Sequence, residues 1–278
     1  MLRVLILIAL AASPLSARAV PIVFTAAGVN SASIVPSRDA FRTAIGGGTS
    51  AGPNGSFGGV RREINWDGVP DNFSAPNNLP ANFFNVNSPR GVVFATPGTG
   101  FQLSANAVNP TGTPVDFGNI DPSYPQLFEP FSAQRLFTAT GSNITDVSFF
   151  DPGTTNPASV SAFGVIFSDV DLANTTSLQF FDALNVSLGT FFAPSFSGDG
   201  TFSFVGVQFT SEQVRRVRIT SGNQALAPGN SAPDLVVMDD FIYSEPRAFI
   251  AAVPEPGSLA LLGVSVGAFA LSRRRRSP

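Results

Sequence analysis

The second half of the chain consists of short apolar segments separated by clusters of glycine, proline, asparagine and aspartate. The segments are rich in phenylalanine and valine, and aromatic and β-branched residues favour strands over helices. Short strands at regular spacing with turn residues between them are typical of antiparallel sandwiches and jelly rolls. The sequence therefore predicts a mainly β fold, a jelly-roll-like antiparallel β-sandwich, with strands at 161–168, 177–183, 187–192, 201–209, 214–220 and 235–243.

Phenylalanine supplies much of the side-chain surface for a core, with 27 of these residues in the chain. Burying one such side chain contributes roughly 1.5–3 kcal/mol, so a sandwich of this composition needs no disulfide. Within segment 201–209, Phe202 and Phe204 alternate, whereas Val207 and Phe209 fall on the other parity. A shift of one residue at Gly206 would bring all four to one face, which predicts a β-bulge there.

The first half is rich in loops, with a glycine-rich stretch at 46–59 and four prolines in 111–130. These long connections either decorate the sandwich or separate a small N-terminal unit from it. We expect one domain over residues 20–252, in which the N-terminal part forms the decorations.

One helix is predicted in this first half, at 38–45. Phe41 and Ile45 have the spacing of one helical face, and a glycine follows at the end. Ser37 is placed to cap the helix directly after Pro36.

The composition excludes several kinds of chemistry. The chain has no cysteine and no histidine, so thiolate nucleophiles, serine–histidine triads and the usual zinc sites are unavailable. Residues 20–256 contain ten arginines against nineteen acidic residues. Such an acidic surface is unsuited to a phosphate backbone, which predicts no nucleic-acid partner.

The C-terminal segment combines three features in a fixed order. Val253, Pro254, Glu255 and Pro256 come first, and the two prolines favour an extended, accessible strip. Residues 257–272 carry no charge, a length that is short for a bilayer crossing, which usually takes about 20 residues. A hydrophobic membrane helix is the first interpretation, and a buried core helix of a soluble domain is the alternative.

Four consecutive arginines end this segment: Arg273, Arg274, Arg275 and Arg276. By the positive-inside tendency they would stay in the cytoplasm and act as a membrane stop, which places the preceding domain outside the inner membrane. A core helix would not normally end in four adjacent like charges or follow a proline-bracketed strip.

The order of these features, over residues 253–278, closely resembles the PEP-CTERM protein-sorting signal of Gram-negative bacteria. The resemblance implies recognition by an exosortase, a membrane-embedded protease, which would bind Val253, Pro254, Glu255 and Pro256. The body also resembles uncharacterised exported proteins with this tail, in strings such as "GSFGGVRREINWDGVP" and "VVMDDFIY". That second resemblance implies no activity.

The N-terminal residues agree with export. An arginine at position 3, an apolar stretch at 4–12 and the small-x-small sequence at 17–19 have the pattern of a secretory signal peptide over residues 1–19. Signal peptidase would release a mature chain that begins at Val20. The alternative, a transmembrane anchor, is disfavoured because the apolar stretch is too short to span a bilayer.

Four acidic residues are candidates for a structural calcium site. Asp169 and Asp171 lie two residues apart, and Asp239 and Asp240 interrupt an apolar strand, where a charge is costly unless it is paired or coordinated. Calcium takes six to eight oxygen ligands, with carboxylates prominent among them. By its resemblance to the last strand of carbohydrate-binding jelly rolls, "VVMDDFIY" also implies calcium. The alternative is that one of the adjacent acids faces solvent and the other caps a loop.

Trp66 is the best single candidate for a ligand contact, because flat aromatic rings stack on sugars. A buried core position for Trp66 is the competing interpretation. We expect an exported, exosortase-processed protein of the cell surface or exopolysaccharide matrix, which is structural or binds glycans without catalysis. The alternative is a polysaccharide hydrolase or lyase with two carboxylates at its centre; the candidate acids are Glu63, Asp67, Asp169, Asp171, Asp239 and Asp240.

Overall fold

The computed structural model describes residues 20–47, 54–55, 59–211, 213–230 and 234–248. The described part is mainly β, as predicted, and its strands form a sandwich-like arrangement. The strands are β1 (Ile22–Gly28), β2 (Arg61–Ile64), β3 (Val92–Ala95), β4 (Gly100–Leu103), β5 (Phe137–Thr140), β6 (Ile144–Phe149), β7 (Ala158–Ser159), β8 (Ala162–Ser168), β9 (Ser177–Phe181), β10 (Ser187–Phe192), β11 (Phe202–Gln208), β12 (Arg216–Thr220), β13 (Val237–Ser244) and β14 (Arg247–Ala248). The α-helices are α1 (Ser31–Ala44), α2 (Phe83–Val86) and α3 (Tyr124–Leu127), and a 3-10 helix covers Asp71–Phe73.

Two antiparallel sheets make up the sandwich. The larger has the order β1-β11-β8-β13-β5-β4, with β2 also paired to β13, and the smaller has the order β10-β9-β12-β6-β3. Strands from the loop-rich first half belong to both sheets. The main core lies between the sheets, where residues such as Val165 and Val205 from the larger sheet meet Val147 and Leu178 from the smaller one.

All six predicted strands are present. β10 covers 187–192 as predicted, and the other five begin or end within two residues of their predicted limits. Their turn residues and apolar content were sufficient to locate them, because each strand is short and bounded by residues that break extended structure.

The bulge predicted at Gly206 is wrong. β11 pairs with β1 and with β8 in continuous register from Phe202 to Gln208. Large side chains lie on both faces of β11, because both faces of the strand are buried. Phe202 and Phe204 face helix α1, whereas Val205 and Val207 face the core between the sheets.

Gly206 is required for a different reason. A Cβ atom at Gly206 would lie 2.9 Å from the Phe41 ring, and one at Gly164, its neighbour on β8, would lie 3.0 Å from the same ring. The two glycines therefore leave room on the sheet for Phe41 of α1, which is fully buried.

The predicted helix exists but begins earlier than 38. α1 starts at Ser31, Pro36 lies inside it, and the N-terminal cap is Asn30, whose Oδ1 accepts a hydrogen bond from the Ser33 N–H at 3.2 Å. The extra turns bury Ile34 against the sheet on the same face as Phe41. This additional burial favours the longer helix, and it compensates for a proline that local preference would place at the start.

The predicted signal peptide at 1–19 and sorting segment at 253–278, with its hydrophobic helix and Arg273, Arg274, Arg275 and Arg276, lie outside the described residues. Within the described ranges, the helices fall short of the length and apolarity that a membrane crossing requires.

Candidate functional site

A cavity of about 430 Å³ opens where the chain leaves β2 and approaches α2. This volume lies in the range of small-molecule sites, about 300–1,000 Å³. Two classes of side chain line it. The aromatic members are Trp66, Phe73, Phe83 and Phe84, and the polar members are Asn54, Glu63, Asn65, Asn87, Ser88 and Arg90.

Trp66 is held rigidly behind the cavity. It follows β2 with φ of +67°, and its indole N–H donates to the backbone oxygen of Asp239 at 2.8 Å. The ring stacks on Phe137, with centroids 4.3 Å apart, and meets Phe241 edge-on. Only 1% of Trp66 is exposed. The predicted ligand residue is therefore a core residue that borders the cavity, and it does not form an exposed stacking platform.

The other aromatic rings of the cavity form a chain of contacts that begins at Trp66. Phe84 contacts Trp66 edge-on at 5.5 Å, Phe83 contacts Phe84 at 5.0 Å, and Phe73 contacts Phe83 at 5.2 Å. Phe83 and Phe84 are buried, whereas Phe73 is only partly buried. Phe73 is therefore the ring that a bound molecule would meet first.

Glu63 is the only acidic residue among the described residues that line the cavity. Both of its oxygens accept hydrogen bonds from Arg42, at 2.6 and 2.7 Å, and Arg61 forms a further ion pair with it. Two guanidinium groups thus balance its charge. Glu63 is therefore not a carboxyl group isolated from positive charge, which is the setting that would favour a general acid.

The remaining polar groups provide hydrogen-bonding capacity. The Asn65 amide donates to Asp67 at 3.2 Å, and the Ser88 hydroxyl donates to the Asn54 side-chain oxygen at 3.1 Å. Asn87, at the end of α2, is exposed. Each carboxamide offers both donors and an acceptor.

The structure separates the four acids predicted to bind calcium into two places. Asp239 and Asp240 form a β-bulge in β13, since the pairing with β8 shifts between Met238 and Phe241. Both aspartates are buried.

Hydrogen-bond donors of the protein contact the carboxylates of this bulge. Asp239 accepts hydrogen bonds from the backbone N–H groups of Phe131 and Ser132, at 2.6 and 3.2 Å, and the Ser132 hydroxyl donates to both aspartates. Burial, the adjacent Asp240 charge and their mutual hydrogen bond raise the pKa of Asp239, while burial raises that of Asp240. The pair fastens the 131–132 loop to the sheet through both oxygens of Asp239 and through Oδ1 of Asp240.

Asp169 and Asp171 lie at the end of β8. Ser168, the last residue of β8, pairs with Phe202 at the start of β11 and with Val237 at the start of β13. The loops that precede those two strands therefore meet the loop after β8.

This arrangement brings in two acids that sequence reasoning missed, Asp199 and Asp234. Burial first, and then the charges of Asp171, Asp199 and Asp234, raise the pKa of Asp169 to about 8. Oδ1 of Asp169 is buried and has no hydrogen-bond partner among the described residues. The sequence places Asp199 and Asp234 next to the ends of predicted strands. It does not show that these ends meet, because strand order decides which ends lie together.

In the described part of the chain, no group of three or more acidic side chains is arranged to hold a metal ion. Asp171 accepts a hydrogen bond from the Gly198 N–H at 2.8 Å, and Asp234 accepts one from the Asp171 N–H at 2.7 Å. Calcium binding by Asp169, Asp171, Asp239 and Asp240 stays a prediction.

Replacing Asp169 by asparagine is expected to flatten the pH dependence of stability. Its carboxyl has a pKa of about 8 in the folded chain and about 3.9 when unfolded, so the native state binds this proton more tightly. The resulting stability is complete below about pH 4 and is lost as the pH rises towards the folded pKa, by at most about 1.4 kcal/mol per pH unit. Urea unfolding of the two proteins in chelator between about pH 5 and 9 measures the difference.

Equal slopes for the wild type and Asp169→Asn would contradict this expectation. The same proteins test the calcium prediction. Added calcium should raise the melting temperature of the wild type and leave that of Asp169→Asn unchanged. A wild-type melting temperature that responds to neither calcium nor chelator would contradict the calcium prediction.

Comparison with known proteins identifies only the C-terminal segment. Residues 252–276 match the family model of the PEP-CTERM protein-sorting motif. The match covers the four residues predicted for exosortase recognition and the four terminal arginines, and it confirms the sequence-based assignment of the tail. No curated protein and no solved structure matches the chain.

Proposed function

We propose that this chain, whose residues 252–276 carry the PEP-CTERM protein-sorting motif, is an exported surface or matrix protein processed by an exosortase. Signal peptidase releases its N-terminus, the C-terminal segment holds it briefly in the inner membrane, and exosortase recognises the strip from Val253 to Pro256. The motif match is the observation that carries this proposal. The acidic character of residues 20–256 supports a destination other than nucleic acid.

The folded part acts, in this proposal, as a non-catalytic structural or glycan-binding module. The cavity supports binding, because it combines aromatic rings with amide groups. A carboxylate-dependent hydrolase or lyase needs two acids facing one substrate bond. The cavity has Glu63 alone among its described lining residues, and nearby Asp67 accepts hydrogen bonds from the backbone N–H groups of Gln134 and Arg135, at 2.7 and 3.2 Å. The enzyme alternative therefore has less support.

A processing experiment tests the sorting proposal. The full chain carrying Pro254→Ala and Pro256→Ala is expressed in a Gram-negative host that encodes an exosortase. It should accumulate in the inner membrane at full C-terminal length, because alanines restore the flexibility and N–H groups that the proline strip lacks. The matched control carries Pro122→Ala and Pro228→Ala, at two exposed loop positions.

The control should be processed and released like the wild type. Identical processing of the wild type and the motif variant would overturn the proposal. Immunoblots of membrane, surface and culture fractions with an antibody to the folded part provide the measurement.

A further inference from the structure

We propose that the cavity beside Trp66 is a binding site for a pyranose residue of an extracellular polysaccharide. This inference rests on the proposed function, since such a ligand is met only outside the cell. It goes beyond that function by assigning the ligand class and the residues that hold it.

The cavity lining includes both aromatic and polar side chains. Phe73 is partly exposed and is backed by the buried rings of Phe83, Phe84 and Trp66. A pyranose ring carries C–H groups on its faces and hydroxyl groups around its edge. The C–H face would pack on Phe73, while the rings behind it keep that wall rigid.

The polar lining residues are suited to sugar hydroxyl groups. The cavity presents the carboxamides of Asn54, Asn65 and Asn87 and the hydroxyl of Ser88. Each sugar hydroxyl donates one hydrogen bond and accepts others, and a carboxamide is complementary because it also does both. A fully apolar ligand of the same size would desolvate these groups without replacing their hydrogen bonds, which is costly.

The acidic charge in the cavity is balanced by arginine. Glu63 is the only acid among the described lining residues, and Arg42 and Arg61 neutralise it. Its paired oxygens remain acceptors for a sugar hydroxyl, and the described part of the lining holds no second carboxylate that could cleave the ligand with it. The geometry fits retention of a saccharide without turnover.

Trp66 provides a direct measurement of binding, because it is the only tryptophan in the chain and it borders the cavity. The full chain is purified in a detergent that has no sugar headgroup. Cellotriose, maltotriose, chitotriose and trigalacturonate are each titrated while tryptophan fluorescence is recorded. At least one should give a saturable change.

Gly68 allows the cavity to be blocked without disturbing the core. A Cβ atom there would meet nothing within 4 Å, and its φ lies outside the left-handed region. Gly68→Leu should weaken binding of the active saccharide at least about tenfold by occupying the site, whereas Gly68→Ala, which makes the same backbone change with a much smaller side chain, should bind like the wild type.

A second pair of variants tests the polar side. Asn87→Ala removes a carboxamide that lines the cavity, and the loss of one hydrogen bond should weaken binding about five- to tenfold. Asn82→Ala is the control, because Asn82 is exposed at the other end of α2, caps no backbone group with its side chain and does not line the cavity. Its affinity should equal that of the wild type.

The inference is overturned if none of the four saccharides produces a saturable change, or if Gly68→Leu binds the active one as tightly as Gly68→Ala. Since purified protein is used, these outcomes are independent of sorting. Correct sorting with no saccharide binding would contradict only the saccharide site. Saccharide binding with no exosortase processing would contradict only the sorting proposal.

Discussion

Replacing Glu245 by alanine is expected to lower the free energy of unfolding by about 3–5 kcal/mol, because it removes one member of a buried, hydrogen-bonded ion pair. Arg62 of β2 is fully buried, and 3% of Glu245 is exposed. Both guanidinium nitrogens that face Glu245 are hydrogen-bonded to it, one of them at 2.8 Å. Arg62 also donates to the backbone oxygens of Gly55 and Pro89, which cannot balance its charge.

Chemical denaturation followed by circular dichroism measures this loss. The double variant Arg62→Met with Glu245→Met should be much less destabilised than Glu245→Ala, since no isolated charge remains. The matched exposed site is Asp39, whose side chain is 50% exposed and pairs with Arg42 at 3.2 Å. Asp39→Ala should cost about 0–1 kcal/mol. If Glu245→Ala were as stable as Asp39→Ala, the buried ion pair would not have the role assigned to it.

The second large effect is expected at Trp66. Trp66→Ala should lower the free energy of unfolding by about 3–5 kcal/mol, since it removes a fully buried ring from the core. The lost contacts include the stacked Phe137 ring and the edge-on contacts with Phe84 and Phe241. Circular dichroism is again the measurement, because the variant has no tryptophan fluorescence.

Trp66→Phe separates packing from hydrogen bonding. It keeps much of the aromatic contact but leaves the Asp239 backbone oxygen without the indole donor, so a loss of about 1–3 kcal/mol is expected. Phe192→Ala provides the exposed aromatic control on the edge strand β10, where the ring is 45% exposed. Comparable losses at Trp66 and Phe192 would contradict the core assignment of Trp66.

The sequence was informative wherever local chemistry decides structure. The limits of β10 were predicted correctly because Asn185 before it and Pro194 after it are turn-forming residues on either side of an apolar segment. The sorting tail was also predicted correctly, since its prolines, apolar segment and arginines form a pattern that is linear in the sequence. Neither inference needed a tertiary contact.

Other features depend on which elements lie side by side. Large side chains of β11 lie on both of its faces because α1 packs on the outer face of the sheet. Phe41 of α1 contacts the position of Gly206 although the two residues are distant in the sequence. Asp239 and Asp240 are tolerated in a buried strand because a bulge directs them to Ser132, which the sequence does not place beside them.

The candidate sites also depend partly on local sequence and partly on tertiary contacts. The possibility that Trp66 is buried was open in the sequence, but its place behind a cavity depends on α2, a four-residue helix without a strong periodic signal. The proximity of Asp199 and Asp234 to Asp169 follows from the strand order β11-β8-β13, which local patterns do not encode.

In the proposed sorting route, signal peptidase and exosortase process the two ends of this chain. Mass spectrometry of the protein recovered from the surface or medium of an exosortase-bearing host tests it most directly. We expect a chain that begins at Val20 and lacks the four terminal arginines, Arg273 to Arg276. Recovery of a cytosolic chain with both termini intact, and of no shorter form, would contradict it.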